Sequence, residues 1–133
     1  MQTETSLMRL LRSMAPVLRD EEHGYGHVPG GQMLPPGLVA FATVAEAEGL
    51  TVIAPVDALA RHGIHHIPGW ALISLTVHSD LAAVGLTAVV ATALAAGGLS
   101  ANVVAGYFHD HVLVPWPRRQ EAMAILAGLA AAS

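Results

Sequence analysis

The segment Gly85-Leu86-Thr87-Ala88-Val89-Val90-Ala91-Thr92-Ala93-Leu94-Ala95-Ala96-Gly97-Gly98-Leu99-Ser100-Ala101-Asn102-Val103-Val104 joins a helix to a strand through a double glycine. Ala, Leu and Val carry a helix over about 85–96, Gly97-Gly98 breaks it, and a β-branched run predicts a strand over 101–108. Before the helix, residues 70–77 (WALISLTV) are apolar and β-branched, the signature of a strand buried on both faces. His78-Ser79-Asp80 then reads as a turn. Beyond the segment, His109-Asp110 reads as a tight turn and 111–115 as the returning strand. Pro117 stands where helices tolerate proline, and 118–131 gives a last helix. The order is β-α-β-β-α.

Towards the N-terminus, Leu7, Met8, Leu10, Leu11 and Met14 have helical spacing, and Pro16 stops that helix. Small and large residues alternate over 23–28, which predicts a strand. A loop over 29–37 holds three of the eight prolines and continues neither helix nor central strand. A strand over 39–44, a turn over 46–49 and a return strand over 50–54 follow. Pro55 opens a short helix reaching about Arg61, and 63–69 reads as a loop. Thr51-Val52-Ile53-Ala54-Pro55-Val56 and His111-Val112-Leu113-Val114-Pro115-Trp116 share one pattern, each closing a hairpin and leading into a helix. This internal echo points to a duplication with a degraded first copy.

Composition bounds the function. The 133 residues carry six Lys plus Arg against ten Asp plus Glu, a net charge of −4, which argues against nucleic acid as the main partner. With 53% apolar and 12% charged residues the chain is not disordered. Lack of cysteine removes disulfides, thiolate metal ligands and cysteine nucleophiles, and fits a reducing compartment. No formal charge occurs between Asp80 and Asp110. Even so, the 16 residues 81–96 reach only roughly 24 Å as a helix, short of a roughly 30 Å hydrocarbon core. Arg9, Arg12 and Arg19 interrupt the N-terminus, a poor secretory signal. The expected address is the cytoplasm.

The segment 85–104 resembles the ACT-domain pattern known from the regulatory tail of aspartokinase. Ser74-Leu75-Thr76-Val77-His78-Ser79, Ala83-Val84-Gly85-Leu86-Thr87 and the run Asn102-Val103-Val104-Ala105-Gly106-Tyr107-Phe108-His109-Asp110-His111 are similar to small stand-alone bacterial proteins made of two ACT-like units. Glu46-Ala47-Glu48-Gly49-Leu50-Thr51 is similar to a turn in their first half. The resemblance covers about 7–129 and extends to the tandem-ACT arginine sensors. It implies an α+β, ferredoxin-like sandwich of two ACT-like units side by side. Residues 1–69 form an abbreviated first unit behind a leading helix, with the 29–37 loop where a first helix belongs, and 70–133 form a complete second one. It also implies a regulatory sensor without catalysis that binds a small effector, an amino acid or its relative, where two units meet.

The implied site is the turn into the 85–96 helix: His78, Ser79, Asp80, Val84, Gly85, Leu86 and Thr87, with Asn102 and Val103 on the neighbouring strand. A helix N-terminus offers unpaired N–H groups to an anion, and glycine lets a ligand approach the backbone. An amino-acid carboxylate fits against Gly85, Leu86 and Thr87, its ammonium against Asp80, and Asn102 can hold either. The competing structural account has Ser79 capping a helical turn, Asp80 meeting the helix dipole and Gly85 allowing tight packing.

Other chemistry is thin. His62, His65, His66, His109 and His111 read as exposed loop histidines, since no fixed-spacing metal motif contains them. Glu46 and Glu48 read as a solvated hairpin turn, and Arg118-Arg119 as a solvated pair whose mismatch with the helix dipole can also mark a partner or anion contact. No G-x-S-x-G elbow occurs, and Gly30-Gly31 lacks the context of a phosphate loop. No metal, cofactor or catalytic residue is expected. The expected partners are a small-molecule effector and a second copy of the chain, without nucleic acid or membrane. A protein interaction module and a histidine-dependent metal enzyme are the rival readings.

Overall fold

The computed structural model describes residues 6–76 and 85–133. Helix α1 (Ser6–Ser13) leads into strand β1 (Pro16–Pro29), then β2 (Ala42–Glu46), β3 (Gly49–Pro55) and the short helix α2 (Val56–Arg61). Strand β4 (His66–Leu75), helix α3 (Leu86–Ala96), β5 (Asn102–Ala105), β6 (Asp110–Pro115) and helix α4 (Arg119–Ala132) complete the chain, α4 following one tight turn at Trp116–Arg118. The β-α-β-β-α order of the second half is therefore observed. The strand order is β2-β3-β1-β4-β6-β5.

Two compact units divide the chain. Unit A comprises Met1–Arg19 with Ala71–Ser133, and unit B comprises Asp20–Trp70. The chain thus passes from one unit to the other inside β1 and again inside β4. Unit B has the order β2-β3-β1-β4, its own strands running first to fourth along the chain. In unit A, β4 opens, β5 and β6 follow, and the start of β1 supplies the fourth strand. Both therefore have the strand arrangement of a ferredoxin-like sandwich. The echoed strands β3 and β6 hold the same position in each, which is why both carry the same Val-apolar-apolar-Pro signature.

In unit A, the consecutive burial of Ala71–Leu75 confirms a strand covered on both faces. Leu86, Val90 and Leu94 of α3, four residues apart, pack with Ala71, Ile73 and Leu75 of β4 and Val112 and Val114 of β6. The outer face of α3 exposes Thr87, Ala88, Thr92 and Ala95, so the long uncharged stretch is a core helix with a small-residue exterior. Among the described residues no helix is long and apolar enough to cross a membrane.

In unit B, Val28, Val52, Ala54, Leu59 and Ile64 form the core. Gly26 makes it possible: a Cβ there would lie 2.8 Å from Ile64 and 2.9 Å from Leu59, so any side chain would push the α2 region off β1. Between β1 and β2 the described chain has no helix, as the prolines of 29–37 require.

Three sequence expectations need correction. Strand β1 begins at Pro16 rather than near residue 23, because pairing holds a charged stretch that propensity alone would not. The expected loop 63–69 ends at His66, and Pro68 lies inside β4; here β4 is the outer strand of unit B, where a missing N–H is tolerated, and Glu22 Oε2 accepts the Gly69 N–H at 2.9 Å. The β5–β6 connection is not at His109-Asp110: Ala105 pairs with Asp110, and Gly106 N–H donates to His109 O at 2.8 Å. Tyr107 and Phe108 therefore sit in the turn, while Asp110 and His111 are strand residues.

Candidate functional site

Helix α3 opens at Gly85, whose φ of +106° is the left-handed conformation that glycine adopts freely. The first helical bond runs from Val89 N–H to Gly85 O at 2.9 Å, which leaves the N–H groups of Leu86, Thr87 and Ala88 without an acceptor inside the helix. Gly85 has no side chain to cap them. Leu86 points into the core and Thr87 is exposed. Leu7 of α1 packs against Gly85, its Cδ2 3.0 Å from where a Cβ would stand, so tight packing at this glycine is real. His78, Ser79, Asp80 and Val84 lie outside the described residues.

Asn102 and Val103 are placed elsewhere than at this turn. Strand β5 starts where α3 has ended, so Asn102 stands at the far end of an 11-residue helix about 16 Å long. Val103 pairs with Val112 and packs into the core of unit A with α3. Asn102 therefore faces the opposite side of the sheet, level with Leu113. Gly85, Leu86 and Thr87 are contiguous; Asn102 does not join them within unit A.

That opposite face carries a pairing sequence reasoning missed. Ser74 on β4, only 8% exposed, shares a 2.8 Å hydrogen bond with His111 Nδ1 on β6. Burial first, then Arg19 and His109, outweighs Asp110 and holds the His111 pKa below its ordinary value. Residues 37 apart give no local signal; only the register of β4 and β6 brings them together.

Two models of the ACT domain match the chain, one over residues 2–67 and one over 66–128. A solved protein of unknown function from Vibrio cholerae, described as a possible transport protein, is 42% identical over 94% of this chain and 96% of its own, with a TM-score of 0.83. The chain belongs to the ACT-domain family. The ligand-free regulatory subunit of aspartate kinase from Thermus thermophilus shares the fold at 14% identity and a TM-score of 0.62, over 86% of this chain and 95% of that one. A protein from Agrobacterium tumefaciens does so at 16% identity and 0.75, over 88% and 89%. No curated protein matches. ACT domains are regulatory modules that typically bind amino acids, and no catalytic family is indicated.

Several other polar residues of this tandem ACT protein have structural partners. Histidine nitrogens donate to backbone carbonyls: His23 to Glu21, His27 to Glu48, His62 to Ala58 and His66 to Ile64, at 2.8–3.1 Å. His66 is thus a strand residue and not a loop one. Among the described residues no group of three His, Asp or Glu is placed to hold a metal ion. Glu46 and Glu48 are exposed at the β2–β3 hairpin turn, as expected, and Glu46 accepts a hydrogen bond from Thr51 Oγ1. Arg118 and Arg119, by contrast, are not a solvated pair. Arg118 donates to the carbonyls of Gly97 and Gly98 at 2.8 and 2.9 Å and pairs with Glu121. Arg119 donates to Trp116 O and stacks 3.8 Å over the Trp116 ring. The unfavourable position at the start of α4 is offset by tying down the negative C-terminus of α3.

Proposed function

We propose that the protein is a non-catalytic sensor that binds an amino acid or a close relative at the N-terminal end of α3. The observation that carries this reading is the opening of α3 at Gly85, with the N–H groups of Leu86, Thr87 and Ala88 unclaimed inside the helix, in the stretch that the second ACT match covers. A carboxylate is the anion such an end favours. The sequence offers Asp80 for the ammonium group. The effector acts by preferring one of two states, in assembly or in affinity for a regulated partner, since only differential affinity shifts an equilibrium. A homodimer and a cytoplasmic address complete the reading.

Thermal unfolding against each of the twenty amino acids at millimolar concentration is the test. A ligand at about 100 times its Kd adds roughly 2.7 kcal/mol, enough to raise the midpoint by several degrees. One amino acid giving that rise, lost in Asp80→Ala with the ligand-free midpoint unchanged, is the expected result. A flat response across all twenty overturns the reading. Strand β5 ends the strand order, and Tyr107 and Phe108 at its turn are 78% and 58% exposed, which favours an interaction module as the second reading. Loss of concentration-dependent mass in Tyr107→Ser/Phe108→Ser, with every amino acid inert, would select it.

A further inference from the structure

In unit B, where no helix separates β1 from β2, a groove of about 330 Å³ opens between the 29–37 loop and the segment after α2. That is the small end of ligand-site volumes. Val28 and Ile64 line it with Met33, and His27, His62 and His65 also line it. The His27 N–H donates to His65 O at 3.0 Å, which fixes the two histidine-bearing segments side by side.

Two of the imidazoles have settled tautomers. His27 Nε2 faces Glu48 O at 3.1 Å and His62 Nδ1 faces Ala58 O at 2.9 Å. A carbonyl only accepts, so those nitrogens carry the hydrogens and the other nitrogen of each neutral ring keeps a lone pair. No Lys or Arg lines the groove; Gln32 adds a neutral amide, and the imidazole lone pairs are acceptors beside apolar carbon. Its natural complement is a hydrogen-bond-donating cation with an apolar body. The histidines are not placed as a three-ligand metal group among the described residues, so a ligand whose donor groups are spread apart suits them better than one ion.

We propose that this groove binds an aliphatic diamine, its ammonium groups donating to the free imidazole nitrogens and its methylene chain lying on Val28, Ile64 and Met33. The site is independent of the amino-acid reading, which rests on unit A. Titration of diaminopentane into the full chain, followed by calorimetry, tests it. Saturable binding is expected, weakened at least about tenfold for pentylamine, which has one ammonium group, and likewise in His65→Ala. The His65 ring holds no backbone carbonyl here, so that variant keeps the fold; His62→Gln serves as the second. No saturation by diaminopentane, equal affinity for pentylamine, binding undiminished in both variants, or saturation by zinc ion alone would each overturn the proposal. An amino-acid thermal shift surviving in His65→Ala keeps the two readings separable.

Discussion

Gly85 and His111 show how one residue's surroundings become a measurable property. Gly85 has a backbone that L side chains rarely adopt, and a Cβ would press on Leu7 at 3.0 Å. Gly85→Ala should therefore cost about 1–3 kcal/mol of stability. Adding Leu7→Ala should relieve the contact but not the backbone, so chemical denaturation of the double variant should recover none of the conformational part. His111 bears on pH. Its pKa is depressed in the folded chain, so the unfolded chain binds the proton first on acidification. The stability it contributes is complete above the ordinary histidine value of 6.5 and is lost as pH falls from there towards the folded value. Denaturation midpoints across that window should fall less steeply in His111→Gln; an identical slope would show that other groups govern the acid limb. The sequence suggests tight packing at Gly85 but not its partner Leu7, and it gives His111 no mark among eight histidines.

Elements explain which parts of the reading were legible. Helix α3 was, because apolar residues and a double glycine are local signals. Leu94 is fully buried on it, and Leu94→Ala should cost about 2–5 kcal/mol, read as a lower thermal midpoint with the fold retained. Strand β4 was legible only from residue 70 onwards. Its first residues include Pro68, and a strand there depends on Glu22 answering the Gly69 N–H across the gap. The start of α4 was misread because two arginines at a helix N-terminus look unfavourable until the carbonyls of Gly97 and Gly98 are brought within reach. Arg118→Ala should lower stability by about 1 kcal/mol, its side chain being partly exposed. Arg118→Lys should restore little of this, since an ammonium cannot reproduce the two-pronged grip.

For the whole molecule, the division of the chain and the division of the packed units differ. The two ACT matches meet at residues 66–67, whereas unit A gathers its core from both ends of the chain, with Leu11 and Met14 buried beside Leu94 and Leu126. A fragment of residues 70–133 lacks that N-terminal contribution, so it should show no cooperative unfolding transition alone, and supplying residues 1–19 in trans should restore one. A sharp transition from the fragment by itself would refute this. By itself the sequence determined the element order, the duplicated strand-to-helix signature, the lack of a helix across the proline-rich 29–37 segment and the exclusion of disulfide and thiolate chemistry, because periodicity, glycine and proline act over a few residues. Only the tertiary structure decided that β1 and β4 each serve two units, that Ser74 meets His111, and that His27, His62 and His65 line one groove. Those facts depend on strand order and register, which join residues far apart in the chain and leave no mark on the spacing within any one segment.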